Sequence, residues 1–367
     1  MIDIARLYGI ALVYYCHFIE ILMYLQNATA ARHYKFISSF HMPLFFLLSG
    51  FIAKERNLQI SLGKYVKQRF ASRIIPYIFF LIIFTVLTFF FAGTYIHLGV
   101  DLSNFKGYLG AEMRALFGFP VLNLPSWFLA CLVSVELLHY VVFRHLKSNA
   151  MILISALSFY VVGYFLNLKF QFFHIDRISG WNYWFLHEAV VMYAFYLLGI
   201  FLRKRNFLVE KVSPALLVPG ILISFFIVFF TYNLNTGPFR GNFDSVVIVL
   251  SAHGHFLLFP FTVIVGCLLI LFLARLTPPS KMLIWMGQNA LILFLLNGVF
   301  YHHINGIVAF LTAPHLAGSS LAVFVTGVVV TVLSLSLCVP FVFLFNKFIP
   351  QLVGKPKQNG PLLRNLL

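Results

Sequence analysis

Acidic residues are scarce in this chain. Ten Asp and Glu stand against 26 Lys and Arg in 367 residues, and charged residues of both signs make up only 10% of the total. Soluble domains carry about 25% charge, so a soluble fold is excluded. Cysteine is equally sparse. Cys16, Cys131, Cys267 and Cys338 all fall inside apolar runs and show no paired or metal-ligand spacing. That excludes a disulfide framework and a cysteine-held metal, and leaves them as small buried hydrophobes. The net charge of +16 points at first to nucleic acid. The cations fall between apolar runs rather than along one aromatic-lined surface, which excludes a nucleic-acid partner. They read instead as topology-setting charge beside membrane lipid. Internal repeats, low-complexity segments and a soluble catalytic domain are missing as well.

Apolar residues are what the chain has in excess: 61% of the total, 45 of them Phe, with a mean hydropathy of +0.93. Ten stretches are long enough to cross a bilayer, near 4–25, 36–53, 74–95, 124–143, 150–167, 184–202, 213–233, 249–273, 282–301 and 318–346. The fold class is therefore all-α, a polytopic integral membrane protein with about ten transmembrane helices. Pro43, Pro260 and Pro340 fall inside spans, where kinks are tolerable if buried in protein. The connecting segments alternate in basic content. Placing the N-terminus in the cytoplasm gives that side 19 of the 26 Lys and Arg; the other side keeps Arg32, Lys35, Lys106, Arg114, Lys169, Arg177 and Arg240. Both termini are thus expected in the cytoplasm. Residues 1–350 read as one integral domain and 351–367 as a short basic cytoplasmic tail, with Lys355, Lys357 and Arg364 facing anionic lipid. The N-terminus resembles a signal peptide only superficially, because Arg6, His17 and Glu20 would then be discarded.

Arg6 and His17 sit in the first span with ten residues between them. Eleven steps bring a helix back to within roughly 20° of the same face, about 16 Å further on. Ionisable groups at such depth are functional-site candidates by default. His41 opens the second span, level with Glu20 and one to two turns above His17. Glu20 either orients the His17 imidazole, as a carboxylate does for a catalytic base, or points to water. His41 either touches an acceptor or simply starts its helix. Span 2 leads into a loop of six cations that ends at Lys67, Arg69 and Arg73, the two arginines sharing a helix face. Basic groups at one surface suit a phosphorylated donor, and a neutral His deeper in suits a general base for a hydroxyl.

Three features in order resemble the membrane acyltransferase-3 family. They are Arg6-x10-His17, the run Phe40-His41-Met42-Pro43-Leu44-Phe45-Phe46 with Ser49-Gly50, and the basic run ending Arg73-Ile74-Ile75-Pro76-Tyr77. Pro125-Ser126-Trp127-Phe128-Leu129 also fits, and the Phe-His-Met-Pro form is similar to the branch that acetylates sugars, such as fucose-type or surface-polysaccharide acetyltransferases. The likeness is carried by roughly residues 1–145. It implies an O-acyltransferase of the bacterial cytoplasmic membrane that moves acetyl from cytoplasmic acetyl-CoA to a hydroxyl of a glycan or lipid-linked sugar. By resemblance Arg6 and His17 take the family's essential pair, and His17 with Glu20 and His41 forms the expected catalytic set. Arg6, Lys67, Arg69 and Arg73 form the expected donor-binding set, and Ser49, Trp127 and Glu136 the substrate-binding set. Two departures stand out. Three residues separate Arg69 from Arg73 where the family commonly has two, so Lys67 is a possible substitute. In span 9, Asn289, Ala290 and Asn297 replace a more reactive polar pattern, which leaves that span a structural or binding role.

Other readings stay open at this stage. Glu136 either partners Arg6 or an inner arginine, or acts directly. His253, His255, His302 and His303 lack the close spacing of a zinc site, so no metal is expected. Trp181 and Trp184 read as interfacial anchors. Direct acyl transfer and an acyl-imidazole on His17 are not separable, and a homodimer is compatible with everything above. The main competing function is a transporter or flippase for a lipid-linked or anionic solute, against which the missing repeat symmetry counts.

Overall fold

A computed structural model describes residues 1–91, 93, 101–170, 183–207, 212–237, 239 and 244–367. Arg177, Trp181, Lys211 and Arg240 lie outside the described residues. Among those described, ten helical stretches are long and apolar enough to cross a membrane, from Ile2–Tyr24 to Ser320–Phe348. The polytopic all-α fold is thus as expected. Helix α1 (Ile2–Tyr24) is the axis of the bundle. Around it pack α2 (Ala28–Ser38), α3 (His41–Ile52), α11 (Leu258–Leu276), α12 (Lys281–Gln288), α13 (Ala290–Val299), α14 (Asn305–Thr312) and α15 (Ser320–Phe348). A central helix must be apolar on almost every side, and α1 buries Ile4, Leu7, Ile10, Val13, Tyr14, Phe18 and Leu22 around its circumference.

A second layer is formed by α7 (Trp127–Val142) and α9 (Leu186–Lys204), with α9 packed along α3. Their crossing is close because two glycines meet there. A Cβ on Gly50 would stand 1.9 Å from the Tyr196 carbonyl oxygen, and one on Gly199 the same distance from that of Leu47. Small residues at such crossings let van der Waals packing replace the hydrophobic drive that lipid removes. The periphery belongs to α8 (Asn149–Phe170), α10 (Pro214–Leu234) and the outer face of α15. Helix α10 exposes Phe225, Phe226, Phe229 and Phe230, an apolar surface that suits lipid and not water.

Several expected spans are interrupted, and the interruptions fall where the polar side chains are. The second span breaks at Phe40, whose φ of −146° and ψ of −18° separate α2 from α3, so His41 becomes the first residue of α3. Pro43 then sits in a first turn, where its missing N–H costs nothing. Pro260 occupies the first turn of α11 in the same way. Before α7 the chain runs irregularly over Val121–Ser126, with Asn123 at φ −138° and ψ 68°. The ninth span is divided at Asn289 and again by a π turn over Phe300–Ile304. Between the third and fourth spans lies α6 (Phe105–Leu116), on which Arg114 is buried.

Candidate active site

Of the cavities along α1, two lie at the ends of the stripe that joins Arg6 to His17. The larger, about 260 Å³, is lined by Arg6, Ser49, Arg73, Asn289 and Lys355 among apolar side chains of α3, α7 and α13. Arg6 Nη1 donates to Asp3 Oδ1 at 3.0 Å, one turn away. Arg69 and Arg73 both reach Glu136 Oε1, at 2.8 and 3.1 Å. Tyr65 donates its hydroxyl to the Glu136 carbonyl oxygen at 2.9 Å and presents its ring to the Arg69 guanidinium. The extra residue between these arginines is absorbed by a π turn over Phe70–Ile74, which joins α4 (Leu62–Arg69) to α5 (Ile75–Phe90). A π turn inserts one residue without ending the helix, and so both guanidinium groups still meet one carboxylate. Lys67 lies on the exposed side of α4 and lines neither cavity.

The smaller cavity, about 80 Å³, is lined by His17, Glu20, Tyr34, His41, Trp127 and Tyr301, with residues 246–249 along one side. His17 Nδ1 donates to Asn297 Oδ1, which leaves the lone pair on Nε2. His41 Nδ1 donates to the Ile37 carbonyl oxygen at 3.0 Å, and its Nε2 likewise keeps a lone pair. The Tyr301 ring lies against the His17 ring, with centroids 4.6 Å apart. Glu20 Oε1 accepts from Tyr24 at 3.0 Å and from Tyr301 at 3.4 Å. The His17 imidazole is therefore held by Asn297, where an orienting role was expected of Glu20; the Glu20 carboxylate is held instead by Tyr24 and Tyr301.

A cluster of rings walls the larger cavity and neighbours the residues of the smaller one in sequence. Phe45, Phe128 and Phe294 lie 5.3–6.0 Å from one another, centroid to centroid. Phe45 is one turn from His41 on α3, Phe128 adjoins Trp127, and Phe294 is one turn from Asn297. All three also line the larger cavity. The pathway is thus cationic at one end and basic and uncharged-acceptor in character at the other, with aromatic rings at the wall of the larger cavity. An arrangement of this kind has the chemistry to bind an anionic group at one end and to accept a proton from a hydroxyl about 16 Å away.

A family model described as "Acyltransferase domain", the acyltransferase-3 domain, matches residues 1–343. The chain belongs to the acyltransferase-3 family. No curated protein and no solved structure matches it. As an acyltransferase-3 member the chain is a multi-pass membrane acyltransferase.

In this family member the residues expected to bind substrate part company. Trp127 lines the smaller cavity and Ser49 the larger. Glu136 lines neither and serves as counter-ion to Arg69 and Arg73. Of the other histidines, His253 Nε2 lies 2.9 Å from Glu188 Oε1, and His302 Nε2 accepts the Leu124 backbone N–H at 3.3 Å. Three site residues escaped sequence reasoning. Asn297 was assigned a structural or binding role, yet an amide deep in an apolar run is itself a costly signal. Tyr301 carried no motif. Lys355 was read as facing lipid, whereas its Nζ donates to Asn289 Oδ1 at 2.8 Å and to Asn346 Oδ1. Burial there lowers the Lys355 ammonium below the ordinary lysine value.

Proposed function

We propose that this acyltransferase transfers an acetyl group from acetyl-CoA, bound at the Arg6 end, to a sugar hydroxyl presented at the His41 end. The acceptor is a surface-glycan sugar or its lipid-linked precursor, and the setting is the bacterial cytoplasmic membrane with the Arg6 end inside. The observation that carries the reading is the pair of cavities on one stripe of α1: the larger lined by Arg6, Arg73 and Lys355, the smaller by His17 and His41.

In the direct route, His17 Nε2 takes the proton of the acceptor hydroxyl as its oxygen attacks the thioester carbonyl carbon. The C–S bond then breaks, the new C–O ester remains, and the departing sulfur recovers the proton from the imidazolium. In the two-step route Nε2 attacks the carbonyl carbon first, the C–S bond breaks and CoA leaves as thiolate from an acyl-imidazolium; the sugar oxygen then attacks the acyl carbon, the C–N bond breaks, and the hydroxyl proton goes to the thiolate. Asn297 supports either route by keeping the lone pair on Nε2. His41 is the second acceptor-side base, and Trp127 offers the acceptor an apolar face. In both routes the thioester must pass the layer of Phe45, Phe128 and Phe294, which also keeps water from it.

The test uses purified membranes given acetyl-labelled acetyl-CoA, comparing wild type with His17→Ala at matched expression. Base-labile label on glycan that disappears in the variant is the expected result. Label unchanged in the variant would remove His17 as the base. Neither label nor CoA release across a panel of glycans would favour a transporter.

A further inference from the structure

We propose that the turn Val353–Lys355, held in place by the rest of segment 350–367, forms one side of the larger cavity and that its Lys355 binds a phosphate of the donor. This inference rests on the reading of that cavity as the donor site, and it concerns a part of the chain beyond the family match at residues 1–343.

The segment is folded, not trailing. A 3₁₀ turn over Pro350–Val353 leads to Gly354, whose φ of +91° is the left-handed conformation that favours glycine. A Cβ on Gly354 would stand 2.5 Å from Leu291 Cδ2, so the turn is pressed against α13. Gln351, fully buried, donates its amide to the carbonyl oxygens of Gln358 at 2.8 Å and Leu363 at 2.6 Å. The chain therefore doubles back on itself and is closed again by Leu366 N–H on the Pro356 carbonyl oxygen at 2.8 Å. The Lys355 N–H donates to the Pro350 carbonyl oxygen at 3.0 Å. These bonds hold Lys355 at the cavity wall from both sides.

Charge balance singles out this lysine. Of the three cations that line the cavity, Arg6 is paired with Asp3, and Arg73 shares the Glu136 carboxylate with Arg69. Lys355 has two amide oxygens as partners, and among the described residues no carboxylate lies within 4.0 Å of it. An ammonium has three donors, so one N–H remains for a ligand. A half-buried ammonium held in place by neutral oxygens is poised for an anion that the protein does not supply. Asn289 and Asn346 aim it: Asn346 Nδ2 also donates to Asn289 Oδ1 at 2.8 Å, so the two amides and the ammonium form one closed set. The chemical class of the ligand is a polyphosphate, as in the nucleotide end of coenzyme A. Its multiple charges can meet Lys355 while Arg6 stays on Asp3 and Arg73 on the carboxylate it shares with Arg69.

The experiment measures binding of coenzyme A to the full chain in detergent by calorimetry, for wild type, Lys355→Met and Lys355→Arg, with thermal unfolding checked for each. Activity with acetyl-CoA and with phosphate-free acetyl-pantetheine is measured in parallel. A charge-assisted bond of the usual strength predicts about tenfold or greater weakening in Lys355→Met. Lys355→Arg should stay within about threefold of wild type, since its charge is kept. Selectivity for acetyl-CoA over acetyl-pantetheine should fall in Lys355→Met alone. Unchanged coenzyme A affinity in Lys355→Met would overturn the inference while leaving the donor site standing. So would equal losses on both donors, the mark of a merely structural residue. A wild type that binds no coenzyme A would overturn the donor-site reading and this inference with it.

Discussion

His17 and Asn297 stand 280 positions apart in sequence and meet in one hydrogen bond, from the imidazole Nδ1 to the amide Oδ1. That bond crosses from α1 to α13 and decides which imidazole nitrogen keeps its lone pair. Removing His17 itself should cost about 10²–10⁴ in kcat, the usual contribution of a general base. Asn297→Ala should cost about tenfold in kcat with the donor KM unchanged, since the base remains but loses its orienting partner. Asn297→Asp restores an acceptor for Nδ1–H and should recover most of the loss. Steady-state kinetics on the three variants decide the matter; an Asn297→Ala variant with wild-type kcat would remove the orienting role.

Glu136 meets two arginines at once through a single oxygen, and it is the one carboxylate in α7. Breaking a buried ion pair from one side leaves charge without a partner and costs about 3–5 kcal/mol. Both arginine side chains keep some exposure here, 15% and 22%, so the lower end applies. Glu136→Ala should therefore lose about 3 kcal/mol of stability, seen as a lower Tm in detergent. Donor KM should rise as well, because Arg73 lines the larger cavity. Arg69→Met within the Glu136→Ala background should then cost little more, as the two residues act as one unit.

The phenylalanine layer makes a different kind of prediction. If the thioester waits behind Phe45, Phe128 and Phe294, thinning the layer admits water to it. Phe294→Leu should raise the ratio of CoA released to acetyl delivered, while Phe294→Ala should also destabilise by about 3 kcal/mol or more. Simultaneous measurement of free CoA and acetylated glycan gives that ratio. A ratio that stays constant in Phe294→Leu would show that the layer does not guard the donor.

Much of this architecture was legible in the sequence because lipid imposes strict rules. Spans follow from hydropathy, and Arg6 with His17 could be placed on one stripe from helical periodicity alone. What the sequence concealed were the interruptions. Nothing in the apolar run 282–301 announces a break at Asn289 or a π turn at Phe300–Ile304, since backbone irregularity in a membrane is paid for by tertiary partners. The same holds for the π turn at Phe70–Ile74, which reconciles a one-residue departure in the arginine spacing. Asn297 and Lys355 were hidden for a related reason: their roles depend on contacts with α1 and α12–α15, and spacing within one segment carries no such information.

The last prediction concerns pH and follows from the position of Lys355. Burial disfavours its charged form, so its pKa in the folded chain is lowered from the ordinary value of about 10.4. Below the lowered value the ammonium is present and donor affinity is complete. As pH rises through it, the charge is lost at a pH where an exposed lysine would still hold its proton, and affinity falls. Bound polyphosphate favours the charged form and opposes the loss, so the effect is largest in affinity and smallest in kcat at saturating donor. Coenzyme A titrations at successive alkaline pH values should show wild-type Kd rising well before that of Lys355→Arg, whose guanidinium stays charged throughout. Identical pH profiles for the two proteins would mean that the ammonium of Lys355 does not meet the donor's phosphates.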